Sequence, residues 1–90
     1  MASRTLIKGA QADCPTATGS ASTFGNATVV RLCNNGGTAR LITVVEEQNG
    51  TVLGTFTMPG NTVEFVEKKS SHCIFAGDNS VKGSAAGFTN

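Results

Sequence analysis

The sequence predicts an all-β protein: a small immunoglobulin-like antiparallel β-sandwich of roughly six or seven short strands, with a flexible N-terminal arm. Short apolar segments recur after residue 27, and Gly, Asn and Pro separate them at the spacing of strands and turns. No stretch keeps apolar residues at the three- and four-residue spacing of an amphipathic helix. At 90 residues, the chain has room for one such domain.

The first two core strands are expected over residues 28–33 and 38–46. We expect the Asn/Gly turn at residues 34–37 to join them as a hairpin, with the second as the return strand, because both residue types tolerate the positive φ of tight hairpin turns. Residues 41–45 are apolar on both faces, so we expect this strand to lie centrally in a sheet.

A turn at Asn49-Gly50 precedes the next strand, over residues 51–58. Gly54 falls on its apolar face, which predicts either a bulge or a close backbone approach. The pair Pro59-Gly60 then predicts a type II turn, with Gly60 taking the positive φ. The apolar face itself is expected to carry Val52, Phe56 and Met58.

Three further strands complete the predicted domain, over residues 61–67, 72–76 and 81–88. In the first, we expect Val63 and Phe65 to point inward and Glu64 to point outward. The last is rich in Gly, Ala and Ser, which predicts an irregular or edge strand that packs closely on its neighbours.

The N-terminal segment differs in composition from the rest of the chain. Thr5 to Lys8 could form one short strand, and residues 9–26 are rich in Ala, Ser, Thr and Gly with few large apolar side chains. We therefore divide the chain into an arm over residues 1–26 and a sandwich domain over residues 27–90. A long first loop is the alternative to an arm that orders against another subunit. Cys14 is expected to be exposed.

No group of residues predicts catalysis, a metal site or a cofactor site. His72 and Cys73 are adjacent, and consecutive strand residues point to opposite faces, so they should not form a thiol–imidazole pair. The three cysteines include no Cys-x-x-Cys pair, and Cys33 and Cys73 are expected to be buried or half-buried free thiols. Lys68 and Lys69 are expected in a solvated turn, as charges that oppose aggregation.

The charge and hydropathy pattern argues against two classes of partner. Seven basic and six acidic residues give a net charge of +1, without the basic stripe that binds nucleic acid. No apolar run approaches the roughly 18 residues of a membrane span. The N-terminus lacks the apolar region of a secretory signal, so we expect synthesis in the cytoplasm.

Three stretches together carry a resemblance: ATVVRLCNNGGTARLITV at 27–44, FTMPGNTVEFVEKK at 56–69 and VKGSAAGFTN at 81–90. In this order they resemble short virion structural proteins, of the capsid-decoration kind, from tailed marine and cyanobacterial bacteriophages. The three stretches span residues 27–90, about two thirds of the chain. It implies a place in the virus particle more firmly than it implies a site.

The resemblance implies a capsid decoration or auxiliary protein on the phage head surface. Its partners would be the major capsid protein or other virion structural proteins, and homo-oligomer formation stays open. A small, nearly neutral domain without a recognisable group of catalytic residues is suited to repeated docking on a symmetric shell. The alternative is an immunoglobulin-like adhesion module that binds a host-surface glycan or protein. The candidate capsid-interface arm consists of Arg4, Thr5, Leu6, Ile7 and Lys8.

Overall fold

The computed structural model describes residues 4–89, which fold into two antiparallel β-sheets packed face to face. The eight strands of the described residues are β1 (Arg4–Ile7), β2 (Ala12–Asp13), β3 (Val29–Asn34), β4 (Arg40–Val45), β5 (Val52–Met58), β6 (Val63–Glu67), β7 (Cys73–Ala76) and β8 (Val81–Thr89). The first sheet has the order β1-β8-β3-β6, with β2 also paired to β8, and the second has the order β5-β4-β7. The predicted all-β sandwich is therefore confirmed.

The main core lies between the two sheets, where alternate residues of facing strands meet. On β3 the inward residues Val30 and Leu32 are fully buried, and on β4 the inward residue Ile42 is fully buried. This alternation is the two-residue repeat that the sequence shows in these segments. The other members of this core are Cys14, Met58, Ile74, Ala76 and Val81.

The predicted central position of residues 41–45 is confirmed, because β4 lies between β5 and β7. The expected hairpin between β3 and β4 is wrong, since the two strands belong to different sheets. The turn after β3 instead carries the chain across the sandwich. The true hairpin joins β4 to β5, and Asn49 in its turn adopts a left-handed φ of 57°.

The predicted bulge in β5 is present. Val44 pairs with Gly54 and Val45 pairs with Val52, so Leu53 is the extra residue. The predicted type II turn is wrong in its detail, because Asn61 has the positive φ, of 58°. Gly60 serves a close approach instead, since a Cβ atom there would lie 2.5 Å from the carbonyl carbon of Gly37.

The expected facing of β6 is wrong. Val63 and Phe65 pair with Cys33 and Arg31, which are outward residues of β3, and they are 41% and 42% exposed. The inward residue is Val66, which pairs with Val30 and packs on the main core. As an edge strand, β6 has little to cover its outer apolar side chains.

The last strand, β8, is central rather than the edge strand that its composition predicted. It pairs with β3 on one side and with β1 and β2 on the other. Its small residues suit this crowded position, because a Cβ atom on Gly83 would lie 3.2 Å from Cδ2 of Leu32. In an immunoglobulin domain the last strand belongs instead to the sheet of strands C and F.

The described part of the N-terminal segment is packed into the sandwich, so the division expected at residue 27 is not a packing boundary. Cys14 is 1% exposed and lies in the main core, which makes its expected exposure wrong. Its N–H donates to the Val81 carbonyl at 2.8 Å. Farther along, Ala21 packs on Val45 and Cys73 in a second small core on the outer face of the second sheet.

Candidate interaction site

The predicted arm residues lie at a free edge of the first sheet. β1 runs antiparallel to β8, from the pair Arg4–Thr89 to the pair Ile7–Ala86. Lys8 follows β1, and its N–H donates to the Ala85 carbonyl at 2.8 Å. No described residue pairs with the other side of β1, so this side presents unpaired backbone groups.

Two apolar side chains project from this edge. Leu6 is 48% exposed and Ile7 is 53% exposed. Because they are consecutive in a strand, they lie on opposite faces of the sheet. Lys8 shares the face of Leu6, and its Cε would lie 3.0 Å from a Cβ atom on Gly87. The edge therefore offers backbone hydrogen-bonding groups with apolar contact area on both faces.

A cleft of about 720 Å³ opens beside β1. It lies between the end of β1, the strand β8 and the loop that precedes β3. Small residues of β8, Ala85 and Ala86, are part of its lining, together with Lys8, Phe24 and Asn26. This cleft has no signal in the sequence, because its walls come from segments that are distant along the chain.

The loop that lines the cleft has an unusual backbone. Phe24, Gly25 and Asn26 all have positive φ, of 52°, 72° and 57°. For a bulky residue such as Phe24, this conformation is an outlier and requires support from its surroundings. Short hydrogen bonds supply part of it: the Phe24 N–H donates to Oγ of Ser22 at 3.0 Å, and the Asn26 N–H donates to Oγ1 of Thr23 at 3.1 Å.

Lys68, the residue that follows β6, adds to this support. Its Nζ donates to the Ala27 carbonyl at 2.7 Å and to the Thr23 carbonyl at 3.0 Å. Lys68 is 8% exposed, so the expectation of a solvated lysine is wrong for this residue, whereas Lys69 is exposed. Desolvation lowers the pKa of the Lys68 ammonium group. No sequence signal distinguishes the two lysines, since the burial comes from the loop that folds over one of them.

Two ion pairs join charged side chains of the described residues. Nζ of Lys82 lies 2.6 Å from Oδ1 of Asp13, next to the cleft. Away from the cleft, Arg40 at the start of β4 lies 3.8 Å from Asp78 in the turn before β8. The Ser80 backbone N–H lowers the pKa of the Asp78 carboxyl group, and the Arg40 charge contributes to the same shift. These are partly exposed pairs that add little stability.

The thiols are separated from one another by the strand pattern. Cys33 is half-buried on the outward side of β3, and Cys73 is buried in the second small core, so their predicted burial is confirmed. Burial raises the pKa of the Cys14 thiol to about 12. Within residues 4–89, no cluster of three or more His, Cys, Asp or Glu side chains could hold a metal ion.

No helix of the described part of the chain is long and apolar enough to cross a membrane. The chain matches no family model, no curated protein and no solved structure in the comparisons made with each.

Proposed function

We propose that this chain is a structural virion protein, a capsid decoration or other auxiliary protein that binds the head shell of a tailed phage through β1. The observation that supports docking at this edge is the exposure of Leu6 and Ile7 on an edge strand whose outer side has no described partner, in a nearly neutral sandwich. The virion as the place of docking rests on the sequence resemblance. The partner in this proposal is the major capsid protein or another structural protein of the particle.

The chemistry of the edge suits addition of a strand from the partner. An added strand satisfies the free backbone groups of β1, and the partner's side chains cover Leu6 on one face and Ile7 on the other. A net charge of +1 brings little long-range repulsion when many copies lie side by side. A symmetric shell repeats its sites, so copies of this module that associate with one another would bind by avidity.

The proposal is tested by binding to phage heads that lack the protein. Deletion of residues 1–26 is unsuitable because it would remove Cys14 from the main core. The double substitution Leu6→Thr and Ile7→Thr keeps strand propensity and removes the apolar contacts. We expect binding in co-sedimentation to weaken by about tenfold or more, because each fully buried aliphatic side chain contributes about 1.5–3 kcal/mol.

The matched control is Val63→Thr, which changes an exposed apolar residue at the opposite edge of the same sheet. It should bind heads like the wild-type protein. Undiminished binding of the double variant would remove β1 from the proposal. Specific binding to a host-surface glycan or protein, with none to heads, would support the adhesion alternative instead.

A further inference from the structure

The outer edge of β5, unlike the edges of β6 and β7, carries neither a covering segment nor a charge among the described residues. Ser22 covers the edge of β7, where its N–H donates to the Ile74 carbonyl at 3.1 Å. The β6 edge carries the exposed charges of Glu64 and Glu67. Natural edge strands normally carry such covers or charges, because an unprotected edge pairs with another chain.

The β5 edge carries no charge along its length. Residues 48–63 contain no Asp, Glu, Lys, Arg or His. After the bulge at Leu53, the strand pairs regularly with β4 from Gly54 to Met58. Phe56 faces the core and is only half-buried, because β5 is an edge strand of its sheet. The β5 edge thus combines a regular backbone with the apolar side chain of Phe56, which no neighbouring strand covers on the outer side.

We propose that β5 pairs antiparallel with β5 of a second copy of this chain, about a two-fold axis at Phe56. This register places Gly54 opposite Met58 of the partner and Thr55 opposite Thr57. Threonine pairs across strands are favourable, and the two Phe56 rings meet at the axis and extend both cores. A second copy fits this edge because an uncharged strand can meet its own copy without opposing like charges.

The pairing leaves the proposed docking edge free. In the first sheet β1 and β6 are opposite edges. β2 pairs with β8 on the same side as β1. The chain that follows β2 covers the edge of β7, where the Ala76 N–H donates to the Pro15 carbonyl at 2.8 Å. Therefore β7 lies on the β1 side of the sandwich, and β5 lies on the β6 side. The dimer would therefore carry two β1 edges pointing away from its axis, which permits bivalent binding.

Sedimentation equilibrium of the purified protein tests this pairing without any virus particle, so its outcome is separate from that of the docking test. The substitution Thr55→Lys places a charge at the centre of the edge, and Thr16→Lys makes the same change at an exposed loop position as a control. We expect wild type and the control to approach twice 9.2 kDa with rising concentration, and Thr55→Lys to lose the dimer.

A second measurement on the wild-type protein guards against misfolding of the variant, which circular dichroism would reveal. Amide exchange at residues 54–58 should slow with rising protein concentration, because the second copy covers these amides. Three results would overturn the proposal: a wild-type mass of 9.2 kDa at all concentrations, a dimer that Thr55→Lys leaves intact, or exchange at residues 54–58 that does not depend on concentration.

Discussion

The ring of Phe24 lies against the backbone of Gly83, and a Cβ atom on Gly83 would be 2.5 Å from Cε1 of that ring. This contact joins the left-handed loop that lines the cleft to the central strand β8. Gly83 does not have a positive φ, so this position requires glycine because of the limited space and not because of the backbone conformation. The smallest possible addition at this position should therefore displace the ring.

The substitution Gly83→Ala should lower the free energy of unfolding by about 1–3 kcal/mol, the usual cost of overpacking a core. In a Phe24→Ala background the same substitution should cost much less, because the opposing ring is absent. Urea denaturation of the four proteins of this double-mutant cycle gives the interaction energy. Equal costs in both backgrounds would mean that the two residues are not in contact.

Asn34 should be a major polar contributor to stability. It is fully buried at the end of β3, and its Nδ2 donates to the carbonyls of Thr38 at 2.9 Å and of Met58 at 3.1 Å. Replacement by leucine leaves these acceptors without their donor and should lower the free energy of unfolding by about 1–3 kcal/mol. The exposed Asn79→Leu is the matched control, and urea denaturation should show little effect there.

Lys68 and Lys69 are adjacent and chemically identical, which makes them a direct test of the buried ammonium group. Lys68→Met removes the donor to the Thr23 and Ala27 carbonyls, and the free energy of unfolding should fall by about 1–3 kcal/mol. Amide hydrogen exchange in the loop from Thr23 to Ala27 should become faster in this variant. Lys69→Met should leave both quantities nearly unchanged, and equal effects of the two substitutions would contradict the assigned role of Lys68.

Cys14 should make stability depend on pH in the alkaline range. Burial raises its pKa from 9.0 to about 12, so in the unfolded chain the thiol ionises first. Its contribution is complete below pH 9.0 and is lost as the pH rises toward about 12. This loss is at most about 1.4 kcal/mol per pH unit.

The measurement is urea denaturation at several pH values between 9 and 11 for the wild type, Cys14→Ala and the control Cys33→Ala. We expect the wild type and the control to lose stability with pH more steeply than Cys14→Ala. Identical pH profiles for all three proteins would show that Cys14 ionises alike in the folded and unfolded states.

The strand positions could be predicted from the sequence because each strand carries its own alternation and its own bounding turn residues. The predicted strand over residues 28–33 and the observed β3, Val29–Asn34, differ by one residue at each end. Strand partners could not be predicted in the same way. Alternation within β3 does not show whether the next strand pairs with it or crosses to the other sheet, and the Asn/Gly turn fits both.

The N-terminal segment could not be placed because its contributions come from small residues. Cys14 and Ala21 enter the two cores, yet neither has the size or periodicity that marks a buried element. Leu6 and Ile7, which belong to the candidate capsid-interface arm, lie on the edge strand β1 and are exposed, and their role in docking stays a prediction. The cleft beside that edge depends on the left-handed conformation of Phe24, which is rare for such a residue and had no sequence signal.

A cryo-EM map of tailed-phage particles assembled in cells that produce this chain tests the central proposal most directly. We expect density for the β-sandwich on the head surface, with the β1 edge, Arg4–Ile7, against a shell protein that covers Leu6 and Ile7. A particle whose sandwich density turns β1 toward solvent, or a mature particle without this chain, would contradict the account.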